Sequence, residues 1–373
     1  MSSRSSVGRG SVVGMDDGYG RRSDDEPTVI RPTEGRRRRG RGWWAKRAGA
    51  AVLAVVLLVG GFGTWLYFHA SGKIKHENVL LDYPGRPAQG TGANWLLIGT
   101  DSRAGLTRQQ QDALHTGTSA VAEGSRSDSM MLLHSGANGT SLVSLPRDSY
   151  VTIPAWTDIR GKGHAASKNK LNAAYAAGGA PLLIKTVESF SGIRVDHFAE
   201  VGFGGFVGVT DAVGGVRLCL DKPLVDQLSG ANFKAGCEDM TGAQSLAYVR
   251  ARYSDPLGDL GRMQRQRQFL AALAHKVSGP GVVFNPFNLV PVLDQSLGVF
   301  TVSDGTGLTD LYSLFQDMKS VSGGNGRTIV VPIANPGYNV PGIGSTVQWD
   351  AAKADQLWAA LRTDQPVPAF PAV

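Results

Sequence analysis

One long apolar run precedes the alternating pattern of the remaining chain. Residues 48–68 carry no charged side chain over 21 positions (AGAAVLAVVLLVGGFGTWLYF), and a helix rising about 1.5 Å per residue crosses a hydrocarbon layer of about 30 Å in that length. Trp43 and Trp44 precede the run with a basic cluster, and Trp65 and Tyr67 lie near its end. The pattern predicts one transmembrane helix with its basic end in the cytoplasm. A cleaved signal peptide is the alternative.

Beyond that span, short apolar runs predict strands. NWLLIGT (94–100) is bounded by glycine and predicts a buried strand. SMMLLHS and SLVSLP flank GANGT, which predicts a hairpin with Asn138–Gly139 as its turn. A turn centred on that dipeptide pairs Asp128 with Ser149. Asp128 and Arg147 are then within two residues of each other at one edge of a sheet.

Helical patterns separate the strands. LNAAYAA and PLLIKTVESF predict two consecutive helices around Gly178–Gly179, and FGGFVGVTDAVGGVRLCL predicts a helix, a glycine stop and a strand. Thr241 is an expected N-cap, and Asp259 or a neighbour opens a helix that runs to about Val277. This alternation indicates the α/β class, as an α-β-α sandwich around a mixed central sheet, preceded by one transmembrane helix.

These patterns divide the chain into segments. We expect a disordered basic cytoplasmic tail (1–47), the transmembrane helix (48–68), an extracytoplasmic linker (69–92), one α/β domain (93–365) and a Pro-rich tail (366–373). Because alternation continues after residue 282 without a clear linker, the C-terminal part is assigned to the same domain. A separate small C-terminal domain is the alternative.

Composition and charge narrow the functional classes. The net charge of +7 over 373 residues arises almost wholly within residues 1–47, where twelve Lys and Arg oppose six Asp and Glu. Because these basic residues precede a membrane span, anionic lipid is a better expected partner for them than nucleic acid. Two cysteines exclude iron–sulfur, zinc-array and disulfide-dense proteins. Outside the cytoplasm we expect Cys219 and Cys237 to form a disulfide, with buried reduced thiols as the alternative.

The arginines of the nearly neutral α/β domain occur in local groups. Guanidinium groups hold phosphate bidentately and stay charged at physiological pH, so the clustering indicates an anionic partner. Ordinary surface ion pairing is the alternative. The sequence lacks G-x-S-x-G, H-E-x-x-H, Walker and C-x-x-C motifs, which argues against serine hydrolases, zinc proteases and NTPases. The groups are Arg103; Arg126 and Arg147; Arg250 and Arg252; and Arg262, Arg265 and Arg267.

The helix beginning near Asp259 has an unusual stripe. At about 100° per residue, Arg262, Gln266, Phe269 and Leu273 fall on one side. A stripe that is polar at one end and apolar at the other suits a ligand with an anionic head and a hydrocarbon tail, such as a lipid pyrophosphate. A surface helix with a solvated first turn is the alternative.

Asp101 and Asp128 are carboxylates near predicted strand ends, at the sheet edge that is also predicted to carry Arg147. Hard oxygen ligands, with a diphosphate supplying the remaining oxygens, are the usual environment of Mg²⁺. Pairing of each carboxylate with a neighbouring arginine is the alternative.

In this order the motifs resemble the LytR-CpsA-Psr family of cell-envelope glycopolymer ligases. The resemblance covers about residues 94–273 and implies a phosphotransferase. It would move an anionic or phosphate-linked glycopolymer from a polyisoprenyl-pyrophosphate carrier to a muramic-acid hydroxyl of peptidoglycan and release polyisoprenyl phosphate. A lipid pyrophosphatase and a non-enzymatic, membrane-anchored lipid-binding regulator are the alternatives. The motifs are NWLLIGTDSR, RSDSMMLL, VSLPRDSYV, KLNAAYAAGG, VDHFAEVGFGGF and AYVRARYSDPLGDLGRMQRQRQFL.

The resemblance also assigns roles to residues. It implies that Asp101 and Asp128 hold Mg²⁺, that Phe269 and Leu273 line an apolar tunnel for the isoprenoid, and that Asp259 accepts the hydroxyl proton. Capping of its helix is the alternative role for Asp259. Lys168 is taken as a phosphate ligand, with Lys170 as the alternative. Arg267 stands where the family more often has glutamine, which leaves the register of the helix contacts open. The implied pyrophosphate contacts are Arg103, Arg126, Arg147, Arg250, Arg252, Arg262, Arg265 and Gln266, of which Arg126 and Arg147 are catalytic.

Overall fold

The computed structural model describes residues 41–103, 106–116, 127–252, 259–277, 290, 292–294, 297–298 and 300–370. Helix α1 spans Arg41–Ser71, and within it Trp43–Ser71 is the one described helix that is long and apolar enough to cross a membrane. The predicted span is therefore confirmed as a helix. Residues 1–40 of the predicted tail lie outside the described residues. The chain forms two compact units, Met1–Leu58 and Val59–Val373, and the second unit contains the elements discussed below.

The described strands follow the predicted apolar runs and add several short polar ones. They are β1 (Lys75–Glu77), β2 (Ala93–Thr100), β3 (Ser127–Gly136), β4 (Gly139–Leu145), β5 (Tyr150–Ile153), β6 (Trp156–Thr157), β7 (Gly163–His164), β8 (Ser167–Lys170), β9 (His197–Val201), β10 (Val216–Leu220), β11 (Leu224–Asp226), β12 (Ala231–Phe233), β13 (Gly236–Met240), β14 (Phe300–Ser303), β15 (Arg327–Val330), β16 (Ile333–Val340) and β17 (Gly344–Trp349).

Seven of these strands form one mixed sheet in the order β1-β14-β9-β2-β3-β4-β15. The pairs β14/β9, β2/β3 and β3/β4 are antiparallel, whereas β1/β14, β9/β2 and β4/β15 are parallel. The other described pairs are two-stranded ribbons: β5–β8, β6–β7, β10–β13, β11–β12 and β16–β17.

A predicted capping residue and a predicted glycine pair mark boundaries of two helices. Thr241 and Gln244 form a capping box at the start of α5, and Gly178 and Gly179 interrupt α3 with non-helical backbone, so that it consists of the two predicted segments. After α1 the described helices are α2 (Arg108–Ala113), α3 (Leu171–Ser191), α4 (Phe203–Ala212), α5 (Gly242–Arg250), α6 (Asp259–Val277), α7 (Leu308–Ser322) and α8 (Ala351–Arg362).

Alternate residues of the central strands face opposite sides of the sheet. Leu96 and Ile98 of β2 enter the first core, which α3 and α8 cover. Trp95, one position before Leu96, faces the other way and enters the second core with Leu270 of α6 and the apolar face of α7. The predicted α-β-α sandwich around a mixed sheet is confirmed, because apolar side chains on both faces of a strand require cover on both sides.

A third core lies outside the sheet. It forms among α4, α5, α6 and the ribbon β10–β13, with Phe269 among its buried residues. Cys219 and Cys237 face each other across this ribbon and are joined by a disulfide, which is the first of the two alternatives that the sequence left open. The bond ties the two strands of the third core together.

The hairpin β3–β4 forms as predicted, but its predicted register is wrong by two residues. Gly136 pairs with Gly139, so that the turn is Ala137–Asn138 rather than Asn138–Gly139. Asp364, distant in sequence, accepts hydrogen bonds from the amides of Ala137 and Asn138 at 2.8 and 3.4 Å. This tertiary contact selects the turn, and local sequence does not reveal it.

Part of the predicted linker is built into the fold. The short strand β1 pairs with β14, and Val79 is buried in the first core. Arg86 contacts the fully buried carboxylate of Glu188 at 3.1 Å, and the Tyr83 hydroxyl donates to that carboxylate at 2.6 Å. The KHE sequence of β1 is too polar to predict a strand, and Glu188 is the partner that fixes the following segment.

Candidate active site

The site lies at one edge of the sheet, where β2 ends, β3 begins and β4 ends. Gly99 pairs with Ser129 and Thr100 with Ser127, so Asp128 is the extra residue of a bulge. Asp101 follows Thr100 directly. The backbone therefore brings both predicted metal ligands to this edge, which we call the site edge. Bulges often lie beside active sites because they redirect a side chain. The side chain of Asp128 lies outside the described part.

Arg147 lies on the loop that follows β4, and its backbone is held from two directions. The carbonyls of Arg147 and Ser149 accept the first amides of α3, from Asn172 at 3.0 Å and Leu171 at 2.9 Å. The amide of Val347 in β17 donates to the carbonyl of Asp148 at 2.8 Å. These bonds fix the loop whatever its side chains contact.

The two candidate lysines occupy different surroundings. Lys170 lies 3.1 Å from Asp148, and the same carboxylate lies 3.5 Å from Nε of Arg147. Lys168 lies instead above the ring of Tyr150, at 5.8 Å from its centroid. The structure therefore groups Lys170, and not Lys168, with Arg147. Asp148 was not singled out in the sequence, although its place in the PRD motif offers a signal.

Glu200 is a second carboxylate that the sequence analysis did not single out. It accepts hydrogen bonds from the Thr100 hydroxyl at 3.0 Å and from the Tyr175 hydroxyl at 2.8 Å. Burial raises the pKa of Glu200, and the two hydroxyl donors act in the opposite direction. Because Thr100 precedes Asp101, Glu200 anchors the end of β2. An acidic residue within the apolar strand HFAEV is the signal that could have identified it.

Ser102 and Phe203 connect the end of β2 to the predicted arginine pair. The amide of Phe203 donates to the carbonyl of Ser102 at 3.1 Å, and the guanidinium of Arg250 lies 4.9 Å from the Phe203 ring centroid. Arg250 also donates to the carbonyls of Leu114 and His115, at 3.0 and 3.1 Å. Arg250 is thus near the site edge and also holds the loop after α2.

Arg252 and Arg265 lie close together at the junction of α5 and α6. The backbone amide of Arg252 donates to Asp226 at 2.6 Å. The guanidinium of Arg265 donates to the carbonyl of Ala251, the residue between the two arginines of the RAR motif. The structure therefore brings the start of α6 to the end of α5.

Two residues of the predicted α6 stripe, Arg262 and Phe269, are buried, and so is Arg265 beside it. Arg262 and Arg265 are only 7% and 8% exposed, and Phe269 is 2% exposed. Phe269 stacks on Phe206 with ring centroids 4.3 Å apart. The alternative of a solvated first turn is wrong, because Arg262 lies in the first turn of α6 and is buried. Arginine is seldom buried without an anionic or hydrogen-bonding environment.

The neighbouring residues of α6 are less enclosed. Gln266 and Leu273 are half-buried, and Leu273 packs against the third core. Burial lowers the pKa of Arg267. This residue therefore faces a desolvated environment rather than open solvent.

Three predicted positions cannot be placed with their side chains. Arg126 lies outside the described residues, as do the side chains of Asp128 and Asp259. Arg103 is half-buried in the loop after β2, where its carbonyl accepts a hydrogen bond from the amide of Leu106 at 3.0 Å.

The described site residues form two groups. One is around Arg147 and Lys170, which both lie near Asp148, and the other is around Arg250, Arg262 and Arg265 at the start of α6 and the end of α5.

This arrangement suits an elongated anionic ligand. Two groups of cationic side chains can neutralise two phosphates. Of the two apolar residues predicted to follow on α6, Phe269 is buried in the third core and Leu273 is half-buried against it. Among the described residues there is no group of three or more His, Cys, Asp or Glu that could hold a metal ion by itself. A metal ion at Asp101 and Asp128 would thus require ligand oxygens from elsewhere.

Comparisons with known proteins show what the chain is similar to. A family model described as the LytR_cpsA_psr family matches residues 69–363. The probable cell wall biosynthesis protein LcpB of Corynebacterium glutamicum is 38% identical over 345 residues, covering 90% of this chain and 77% of that protein. A polyisoprenyl-teichoic acid–peptidoglycan teichoic acid transferase TagU of Bacillus mycoides is 41% identical over 153 residues, covering 40% of this chain and 47% of that protein.

A solved structure shares the fold. The LytR-Csp2A-Psr enzyme from Actinomyces oris superposes with a TM-score of 0.57 at 21% identity, over 78% of this chain and 96% of that one. At this identity the likeness supports the architecture of the sandwich and nothing finer.

Proposed function

Because the chain belongs to the LytR-CpsA-Psr family, we propose that it is a glycopolymer–peptidoglycan phosphotransferase. It moves an anionic or phosphate-linked glycopolymer from a polyisoprenyl-pyrophosphate carrier to a muramic-acid hydroxyl of peptidoglycan. The relative named as a teichoic acid transferase supports the reaction class. The observation that carries the proposal is the pair of buried arginines, Arg262 and Arg265, at the polar end of an α6 stripe that continues into buried Phe269.

The reaction exchanges one phosphate ester partner for another. The acceptor hydroxyl oxygen attacks the phosphorus that carries the glycan, the bond to the lipid phosphate breaks, and polyisoprenyl monophosphate leaves. Phosphoryl transfer of this kind needs positioning and charge neutralisation rather than a protein nucleophile. Asp259 would take the hydroxyl proton.

Arginines on both sides of the site edge would hold the two phosphates. Arg147 is fixed by its backbone, and Lys170 is the lysine beside it, so we propose Lys170 in place of Lys168 as the phosphate ligand. The remaining proposed contacts are Arg103, Arg126, Arg250, Arg252, Arg262, Arg265 and Gln266.

Asp101 and Asp128 would hold Mg²⁺. Asp128 is the bulged residue between Ser127 and Ser129, and Asp101 follows Thr100, the partner of Ser127. Carboxylate oxygens are the donors that Mg²⁺ prefers. Two carboxylates leave most coordination positions to other oxygens, which a diphosphate and water can supply. When bound, the ion would neutralise charge on the pyrophosphate.

The lipid half of the donor would extend along the apolar end of α6. Phe269 and Leu273 would line its path, and α1 would anchor the protein in the membrane from which the donor is taken. The basic residues before α1 favour a cytoplasmic N-terminus, which places the α/β part outside the cytoplasm. Donor, peptidoglycan acceptor and membrane lipid are then all within reach.

A ligation assay with the full-length protein tests the proposal. The protein is incubated in detergent with Mg²⁺ and a polyisoprenyl-pyrophosphate-linked oligosaccharide, with and without peptidoglycan fragments. We expect a covalent glycan–peptidoglycan product and an equal amount of polyisoprenyl monophosphate, both dependent on acceptor. Release of monophosphate without any ligated product would instead identify a lipid pyrophosphatase. Binding without turnover under any acceptor condition would identify a lipid-binding regulator.

A further inference from the structure

A ribbon beside Arg147 has an outer face that carries Lys170, the proposed phosphate ligand, and further side chains that the proposed phosphate site does not use. In β5, Val151 and Ile153 enter the first core, so Tyr150 and Thr152 face the opposite way. Tyr150 pairs with Lys170 of β8, and Thr152 pairs with Lys168. Aromatic and cationic side chains therefore share the outer face of this ribbon.

The hairpin β16–β17 adds a second ring to that face. The ring centroids of Tyr150 and Tyr338 are 6.1 Å apart, with the planes inclined at 51°. Tyr338 is 37% exposed. The hairpin is attached to the Arg147 loop, because Val347 forms a parallel bridge with Ser149. The two tyrosines, which we call the tyrosine platform, thus keep a fixed relation to the site edge.

Such a platform has the chemistry of a saccharide site. Tyrosine offers an apolar ring that packs against the C–H face of a sugar and a hydroxyl that hydrogen-bonds to it, at a low cost in conformational entropy. Lys168, 5.8 Å from the Tyr150 centroid, adds a positive charge at the platform. An acidic substituent on the saccharide would be attracted to that lysine.

The fold places this platform opposite the lipid side. The β5–β8 ribbon packs on the first core, whereas α6 contributes Leu270 to the second core, on the other face of the sheet. Arg147 lies between them and only three residues before Tyr150. In phosphoryl transfer the attacking and leaving oxygens lie roughly in line. An acceptor must therefore approach from the side away from the departing lipid phosphate.

We propose that the tyrosine platform, Tyr150 with Tyr338, binds the glycan strand of the acceptor and brings its hydroxyl to the phosphate at Arg147. This inference rests on the proposed function, whose donor side it leaves unchanged. The donor glycan is the competing occupant, and the measurements below separate the two.

Tyr338→Ala is the test variant, since this side chain is exposed and its loss leaves the first core intact. Tyr312→Ala is the matched control, because Tyr312 is 63% exposed and lies on α7. Full-length proteins are titrated with muramic-acid-containing glycan fragments that carry no donor. We expect Tyr338→Ala to weaken fragment binding about tenfold, Tyr338→Phe to retain most of the affinity, and Tyr312→Ala to match the wild type.

Kinetics identify the occupant. The proposal predicts that Tyr338→Ala raises KM for the acceptor about tenfold with kcat and the KM for donor unchanged. A rise in the donor KM alone would overturn it in favour of the donor glycan, and unchanged fragment affinity would overturn it outright. If the wild type binds fragments through Tyr338 but transfers nothing, the proposed function fails and the saccharide site stands.

Discussion

The two sides of the site edge hold their arginines in different ways. Arg147 is fixed through its backbone, by the first turn of α3 and by β17. Arg250 is fixed through its guanidinium, which donates to the carbonyls of Leu114 and His115. A side chain whose backbone is held can exchange its contacts without cost to the fold. A side chain that itself holds a loop has both a structural and a binding role.

The largest expected effect is the loss of transfer activity on replacing Arg147, whose backbone and not its side chain holds the loop. Replacing Arg147 with Ala should lower the rate of transfer roughly a thousandfold, the upper range for loss of a preorganised charged donor. Thermal stability should change little, because the backbone bonds of the loop remain. Single-turnover assays and melting curves of the full-length protein measure both quantities.

Arg147→Lys is the control for charge alone. A lysine lacks the planar fork that binds two phosphate oxygens, so it should recover only a small part of the activity. A large fall in melting temperature for Arg147→Ala would show that the side chain, and not the backbone, holds the loop.

The next largest expected effect is the loss of stability on removing the disulfide of the third core. Changing both Cys219 and Cys237 to Ser should destabilise the protein by about 3 kcal/mol, as expected for a bridge between residues 18 positions apart. The loss should concentrate in the third core and leave the amides at the start of α3 protected. Urea titration with hydrogen exchange measures it. Equal loss of protection in α3 and in the β10–β13 ribbon would mean that the two sides unfold as one.

Arg250 should show a mixed effect. Arg250→Ala should cost about 2 kcal/mol of stability, since two carbonyls lose a charged donor, and should also slow transfer. Arg217→Ala is the matched control, because Arg217 lies 3.3 Å from Asp239 in an exposed pair and such pairs contribute about 0–1 kcal/mol. Urea titration compares them. Equal stability of the two variants would remove the structural role assigned to Arg250.

The smallest expected effect is a pH dependence at Glu200. Its ordinary pKa is 4.5, and burial raises it in the folded protein. The folded state then keeps a proton that the unfolded state has lost, so stability falls as the pH rises from about 4.5 through the raised pKa. Glu200→Gln removes this titration and should flatten that part of the curve. Urea midpoints at several pH values measure it, and identical curves for the two proteins would contradict the assignment.

The sequence is informative where local physics decides the structure. Short apolar runs located β2 and the two strands of the β3–β4 hairpin, the glycine pair divided α3, and Thr241 began α5 as its cap. Helical spacing put Arg262 on one side of α6 with Phe269, but it left a solvated first turn open, and the burial of both residues settles that alternative.

Contacts between distant residues account for what the sequence analysis missed. The hairpin register depends on Asp364, more than two hundred residues away. The segment after α1 joins the fold through Glu188, which no local pattern connects to Arg86. The choice between Lys168 and Lys170 likewise depends on register, because Lys170 faces Asp148 only once β8 pairs with β5.

A donor labelled on both phosphates gives the most direct test of the central claim, that the site edge holds a lipid pyrophosphate and transfers its glycan-bearing phosphate. The full-length protein receives this donor with peptidoglycan and Mg²⁺, and the two labels are followed separately. We predict that the phosphate next to the sugar enters peptidoglycan while the other leaves with the isoprenoid, in equal amounts. Recovery of both labels outside peptidoglycan, with the donor consumed, would contradict the account.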